Sequence, residues 1–152
     1  MNKILFLFAL LFLFSCHSQK KAAKQNKKSE VVCNPMLLLT EEVNAKESDF
    51  FDLDSLAITD NCLEVFVSYS GGCGEANFDL YYTNMVMHSM PPQTTLLLNF
   101  KDEDPCRSIV YDTLYFELSN FVELASSGGI WLRLRDSDRR VLYKLESNKS
   151  RN

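Results

Sequence analysis

The stretch Leu63-Glu64-Val65-Phe66-Val67-Ser68-Tyr69-Ser70 decides the fold, because hydrophobic side chains occupy every second position along it. Side chains alternate between the two faces of a β-strand, so Leu63, Val65 and Val67 share one face. The opposite face is mainly polar. This pattern predicts a strand with one buried and one solvated face, as in an antiparallel sheet.

The same alternation recurs through most of the chain downstream of residue 50. It predicts further strands at residues 78–82, 96–100, 114–118, 130–135 and 141–145, with a short strand near residues 52–59. Seven short strands separated by turn residues are typical of a sandwich or a barrel. We expect an all-β protein, an antiparallel β-sandwich that is immunoglobulin-like in general architecture. Residues 36–50 remain ambiguous, although Thr40-Glu41-Glu42 has the composition of a helix start.

A different kind of segment precedes this domain. An unbroken run of eleven apolar residues follows Lys3 and ends at Leu13-Phe14-Ser15-Cys16. The run is shorter than the roughly 20 apolar residues that span a bilayer, and it is typical of a secretory signal. Its ending resembles the lipobox of bacterial lipoproteins, which implies that Cys16 is the mature N-terminus and carries the lipid. The predicted organisation is a signal peptide at 1–15, a tether at 16–31, the sandwich at 32–147 and a disordered tail at 148–152.

The predicted tether is rich in lysine. Its few apolar side chains bury too little surface to fold, so we expect a disordered linker whose lysines can lie against anionic lipid. In some Gram-negative bacteria an acidic cluster after the lipidated cysteine directs lipoproteins to the outer surface, and His17-Ser18-Gln19-Lys20-Lys21 lacks one. The expected location is the cell envelope, on the periplasmic face of the outer membrane.

The charge of the body excludes one class of partner. Residues 31–152 carry ten basic and nineteen acidic side chains, a net charge of −9. Nucleic-acid binding needs a basic face for phosphate contacts, so we expect no nucleic-acid partner.

Four cysteines remain besides Cys16, and an even number in an exported chain indicates disulfides. Cys73 precedes one predicted strand and Cys106 follows the next. If those strands are antiparallel neighbours, both cysteines lie at one end of the domain and can bond to each other. A second disulfide, Cys33 to Cys62, follows by elimination.

The alternative for this region is a metal site made by Cys73, Glu75, Asp104 and Cys106. Thiolate metal sites normally show a C-x-x-C pair or added histidines, and neither is present. We therefore favour disulfides and expect no cofactor.

No catalytic residue can be assigned. His88 is the one histidine outside the predicted tether, and it stands in Met87-His88-Ser89-Met90 without a recognisable catalytic motif. Asp102-Glu103-Asp104 does not follow the spacing of a calcium-binding loop.

Residues 63–121 resemble a group of uncharacterised bacterial lipoproteins. The resemblance is carried by Tyr69-Ser70-Gly71-Gly72-Cys73, Phe78-x-Leu80, Pro91-Pro92, Leu96-x-Leu98, Asp104-Pro105-Cys106 and Phe116-Glu117-Leu118-Ser119. It implies a β-sandwich and no particular activity.

Three aromatic residues, Trp131, Tyr81 and Tyr115, fall on the polar faces of their strands and are the candidate binding residues. A second sheet or arginine side chains could equally cover them. We expect a lipid-anchored, non-catalytic binding or structural module that contacts another envelope protein or a polysaccharide. The alternatives are a metal-binding lipoprotein, through Cys73 and Cys106, and an envelope hydrolase of unrecognised type.

Overall fold

The computed structural model describes residues 31–44 and 47–145, which belong to a compact unit that begins at Val31. The predictions for the signal peptide, for lipidation at Cys16, for the tail and for nearly all of the tether lie outside these residues. The described elements are β1 (Leu37–Leu38), α1 (Glu41–Asn44), β2 (Phe51–Thr59), β3 (Cys62–Gly71), β4 (Glu75–Tyr82), β5 (Gln93–Glu103), β6 (Ser108–Glu117), a 3-10 turn (Ser119–Phe121), α2 (Val122–Ser126), β7 (Ile130–Leu134) and β8 (Arg140–Tyr143). Neither described helix has the length and hydrophobicity to cross a membrane.

Two sheets pack face to face and confirm the predicted sandwich. One sheet has the strand order β1-β4-β5-β7-β8, and the other has the order β2-β3-β6. The seven predicted strands are all present, and the two-residue β1 is an addition.

Two of the strand pairs are parallel rather than antiparallel. β1 pairs with β4, and β5 pairs with β7, in parallel. The second parallel pairing follows from the chain path. After β5 the chain forms β6 in the other sheet, and it then returns through α2 to form β7 beside β5. Parallel neighbours need such a crossover, whereas antiparallel neighbours need only a short turn.

The core lies between the sheets and follows the predicted alternation. Leu63, Val65 and Val67 of β3 are buried, and they face buried side chains of the five-stranded sheet. Phe121 and Ala125, from the turn and from α2, are buried in the same core, so the connection between β6 and β7 helps to fill it.

An aromatic cluster extends this core toward the end of the sandwich where β3 ends and β4 begins. The rings of Phe78 and Phe100 are stacked with their centroids 4.3 Å apart. Phe51 and Tyr69, from the opposite sheet, contact that pair at centroid distances of 5.1 to 6.2 Å. Offset and edge-on aromatic pairs contribute beyond the area they bury, so this cluster ties the two sheets together.

The connection from β1 to β2 crosses the five-stranded sheet. Leu39 donates its N–H to the carbonyl of Tyr82, at the outer edge of β4. Further along the chain, Asp49 donates to the carbonyl of Phe100, and the Ser48 hydroxyl accepts the Phe100 N–H at 2.9 Å. Because β4 and β5 lie between these two attachments, the connection must pass over them.

Candidate functional site

Both predicted disulfides are present, one at each end of the sandwich. Cys73 and Cys106 have their Cα atoms 5.8 Å apart, and Cys33 and Cys62 have theirs 6.2 Å apart. Both distances lie within the usual range for a disulfide. The pairing by strand order is confirmed because β4 and β5 are antiparallel neighbours, with Cys73 before the first and Cys106 after the second.

Asp104 is the buried polar centre beside the Cys73–Cys106 disulfide. Its side chain is only 6% exposed. One carboxylate oxygen, Oδ2, accepts the backbone N–H groups of Gly72 at 2.6 Å and Cys73 at 2.9 Å, and the other, Oδ1, accepts that of Cys106 at 2.8 Å. A buried carboxylate needs such partners, so this residue holds together the two loops that the disulfide joins.

The glycines of the Gly-Gly-Cys-Gly turn make this contact possible. Gly72 has a φ of 117°, a conformation that glycine adopts at little cost. At Gly74 a Cβ atom would lie 2.7 Å from the Cα of Asp104 and 2.9 Å from the carbonyl oxygen of Glu103. Any side chain at position 74 would therefore push the two loops apart.

The hydrogen bonds around Asp104 favour its ionised form. The backbone N–H of Gly74 has the largest effect, and those of Cys106, Cys73 and Gly72 act in the same direction against the opposing effect of burial. Together they lower the pKa of the carboxyl from 3.8 to about 2. The group is consequently a fixed anion at neutral pH and has no proton to donate.

The structure brings together three of the four residues of the metal alternative. Ligand atoms of Cys73, Asp104 and Cys106 lie within 4.8 Å of one another, and Glu75 is outside this group. In the oxidised protein both sulfurs belong to a disulfide and the carboxylate already accepts hydrogen bonds from several backbone N–H groups. This arrangement offers no thiolate ligand until the disulfide is reduced.

Tyr81, one of the three candidate binding residues, is covered, which is the alternative that the sequence left open. Its side chain alternates with the core residue Leu80 and therefore lies on the outer face of its sheet, yet it is only 9% exposed. Glu47 and Asp49, from the connection between β1 and β2, line a groove together with Tyr81. Burial, and then the nearby Asp79 carboxylate, raise the pKa of the Tyr81 hydroxyl.

Trp131 and Tyr115 are half-buried and lie on different sheets, so the three aromatic candidates do not form one patch. The Arg140 guanidinium lies 4.7 Å from the Trp131 ring centroid and covers it, as the structural alternative anticipated. Tyr115 stands opposite Glu64 in the strand register, and the hydrogen bond to that carboxylate raises the pKa of its hydroxyl.

His88 lies in the exposed loop between β4 and β5. Its imidazole makes no hydrogen bond or ion pair with another described residue, so no second group orients it for acid–base chemistry. This placement fits the absence of a catalytic motif around it.

The edge of β6 is a feature that the sequence did not single out. β6 is ten residues long and forms the border of the three-stranded sheet. Near its end, the carbonyl of Tyr115 and the N–H of Glu117 pair with Asn34 across this border. Since backbone direction alternates along an antiparallel strand, the N–H and carbonyl groups of Ile109, Tyr111 and Thr113 point toward the same border.

In two of these three residues, both outward backbone groups are unpaired. The N–H of Thr113 is satisfied by the side chain of Asp112 at 2.7 Å. Along the described chain, no group pairs with the outward N–H and carbonyl of Ile109 or Tyr111. Their side chains are 71% and 76% exposed, which leaves an open strand edge beside two large hydrophobic residues. The feature of the sequence that could have indicated this edge is the alternation of Ile109 and Tyr111 just before the predicted strand 114–118.

Comparison with known proteins adds support for the fold alone. No family model matches the chain, and no curated protein matches it. A protein of unknown function, DUF1344, from Bacteroides vulgatus has a similar structure, with a TM-score of 0.51 and 13% identity over 76% of this chain and 57% of that chain. A putative toxin-related protein from Parabacteroides distasonis gives a TM-score of 0.44 and 16% identity over 78% of this chain and 62% of that chain. The chain spans less than two thirds of the length of either protein.

Proposed function

We propose that this protein is a lipid-anchored, non-catalytic binding module of the bacterial cell envelope. Its ligand is an extended segment of another envelope protein, which adds as a strand to the open edge of β6. The leader that ends at Cys16 and the lysine-rich stretch after it support the anchoring. The unpaired edge at Ile109 and Tyr111 is the observation that carries the binding function.

The borders formed by β1, β8 and β2 are poorer places for a new strand. β1 has two residues and β8 has four. β2 is longer, but it has a register shift between Leu53 and Ser55, and Arg139 donates its Nε–H to the Leu53 carbonyl at 3.2 Å. Bulges and covering side chains are common means of blocking strand addition, and the first half of β6 has neither.

Strand addition would combine backbone and side-chain recognition. A peptide aligned with β6 gains hydrogen bonds to the outward groups of Ile109 and Tyr111, and its own alternate side chains can pack on theirs. The pairing of Asn34 with Tyr115 and Glu117 supports this proposal, because that border already accepts backbone from another segment. Asp112 marks the limit of the free edge.

The test uses a library of random peptides displayed on phage and selected against the full chain with its disulfides intact. Tyr111→Pro removes an outward N–H without removing a hydrogen bond to β3. We expect it to lower peptide affinity by about thirtyfold, since a hydrogen bond and a side-chain pair contribute about 1 kcal/mol each. Tyr111→Thr keeps the N–H and should bind with intermediate affinity. Val122→Thr changes an exposed residue outside β6 and serves as the control.

Hydrogen exchange supplies the second readout. A bound peptide should slow exchange of the Ile109 and Tyr111 amides. If no peptide is enriched, or if the enriched peptides bind the proline variant equally well, the edge is not the binding site. If light scattering instead shows a dimer that Tyr111→Pro dissociates, the edge pairs with a second copy of the chain.

A second candidate function is metal binding at Cys73, Asp104 and Cys106, which the spacing of their ligand atoms favours. It requires prior reduction of the disulfide by a dithiol reductant. Zinc titration of the reduced and the oxidised protein separates this candidate from the first, because only the reduced protein could bind. Equal and weak uptake by both forms would exclude it.

A further inference from the structure

The loop between β4 and β5 exposes methionine side chains to solvent. Met90 is 102% exposed, and Met85 and Met87 are more than half exposed. Met36, the other described methionine, is buried in the core. Exposed thioethers gain nothing from the hydrophobic effect, so folding alone does not explain three of them within six residues.

His88 and Met90 share one groove in this loop. The groove has a volume of about 520 Å³ and is lined by Val86, His88, Ser89, Met90, Pro92 and Leu124. Met85 and Met87 do not line it. Among the lining residues, His88 and Met90 are therefore the two that carry soft-metal ligand groups, an imidazole and a thioether, and the other lining residues are largely apolar.

The backbone of the loop is held in place before any ligand arrives. Met87 donates its N–H to the Gln93 carbonyl at 2.8 Å, and Gln93 donates in return at 3.3 Å. Ser89 donates its N–H to the Met87 carbonyl at 3.0 Å and its hydroxyl to the Pro91 carbonyl at 2.7 Å. The backbone that carries His88 and Met90 is therefore ordered by the loop's own hydrogen bonds, which lowers the cost of binding at this loop.

The chemistry of these donors selects the class of ion. Residues 83–93 contain no Asp, Glu or Cys, so the loop lacks the carboxylates that hold hard cations such as Mg²⁺ or Ca²⁺. Thioether and imidazole groups suit soft ions, above all Cu(I). The four described cysteines are occupied in disulfides, so Met and His provide the soft ligands that remain in this part of the chain.

We propose that His88 and Met90 form a binding site for a soft monovalent ion, Cu(I) or its analogue Ag(I). The ion is held between the imidazole nitrogen and the Met90 sulfur, and no electron is transferred. This site is separate from the β6 edge, so either proposal can fail without the other.

Silver nitrate in chloride-free buffer is the probe, added to the full chain with its disulfides intact and the Cys16 thiol alkylated. Native mass spectrometry should show one Ag(I) per chain. With ¹³C-methyl methionine, the Met90 signal should shift on titration while that of Met85 stays in place. A thiol assay after the titration confirms that the disulfides are still closed.

Variants then assign the ligands. Met90→Leu and His88→Gln should each lower Ag(I) affinity by at least about tenfold, because even indirect partners of a metal change its affinity by about 10–100-fold. Met85→Leu is the matched control, with the same substitution in the same loop but outside the groove, and should bind normally. Equal shifts of the Met85 and Met90 signals, or unchanged affinity in Met90→Leu, would overturn the proposal. Because leucine is apolar like methionine, Met90→Leu keeps the apolar surface of the loop. If the loop instead docked a protein, that binding would persist in Met90→Leu although the variant no longer binds the ion.

Discussion

At the scale of single residues, Asp104 is a structural anion at the junction of two loops. It accepts hydrogen bonds from backbone on both sides of the Cys73–Cys106 disulfide. Neither sulfur nor carboxylate is left free for chemistry in the oxidised protein. Three of the four residues that could suggest a metal site in the sequence therefore stabilise a loop junction in the oxidised protein.

This arrangement predicts a specific dependence of stability on pH. The pKa of Asp104 is about 2 in the folded protein against an ordinary value of 3.8. A lowered pKa contributes stability above the ordinary value, and this contribution is lost as the pH falls through the lowered one. We expect the free energy of unfolding, measured with urea, to decrease between those two pH values. Asp104→Asn should be less stable at neutral pH and should lack this part of the decrease.

Asp138→Asn provides the control, because Asp138 is an exposed residue of the loop between β7 and β8. Its pH profile should match that of the unmodified protein. If Asp104→Asn also keeps the unmodified profile, the hydrogen bonds to Asp104 do not favour its ionised form in the fold.

The sequence predicted the components of this site but not their relationship. Cys73 and Cys106 were paired correctly because the strand order places them at one end. The role of Asp104 depends on backbone N–H groups of the Gly-Gly-Cys turn, about thirty residues away in the chain. No periodic pattern reports a contact between a side chain and distant backbone, so the site could not be assembled from sequence.

At the scale of elements, the two disulfides close loops of similar length, with sequence separations of 29 and 33 residues. The chain-entropy model gives each about 3.5–4 kcal/mol of stabilisation. They differ in access, because Cys73 is exposed whereas Cys62 is buried. Thiol–disulfide exchange requires access to a sulfur.

We therefore expect a mild dithiol reductant to open Cys73–Cys106 before Cys33–Cys62. Alkylation of the new thiols followed by peptide mass mapping measures the order of opening. Before reduction, the intact mass should be four hydrogens below that of the protein with all four thiols free. Labelling of Cys33 and Cys62 first would contradict the expected order.

The sequence pattern identified most strands but not their order in the sheets. Alternation identified β3, β4, β5 and β7 because it reports which side chains share a face. It carries no information about which strand lies beside which. The parallel pairing of β5 with β7 depends instead on the helical crossover through α2. Tyr81 likewise shares a groove with Glu47 and Asp49, which belong to a connection and not to its own sheet.

At the scale of the whole molecule, stability depends on the core that the two sheets share. A substitution at Leu132 tests whether β7 contributes to this core. The Leu132 side chain is fully buried, and β7 joins the five-stranded sheet through its parallel pairing with β5. Leu132→Ala should lower the free energy of unfolding by about 2–5 kcal/mol, as expected for a large-to-small change in a core. Chemical denaturation measures the change.

Val122→Ala is the control for this variant, because Val122 is exposed and its loss should change stability by no more than about 0.5 kcal/mol. If both substitutions have the same small effect, β7 does not belong to the common core, and the strand order of the larger sheet would need revision.

The two disulfides also determine how the molecule responds to mechanical load. Tension applied at the N-terminal side reaches Cys33 and passes through its sulfur directly to Cys62, at the start of β3. Residues 34–61, with β1 and β2, are bypassed and bear no force. Tension that continues along β3 then crosses from Cys73 to Cys106 and bypasses β4 and β5 in the same way. A domain pulled at its ends could therefore lengthen only through the segments outside these two covalent shortcuts.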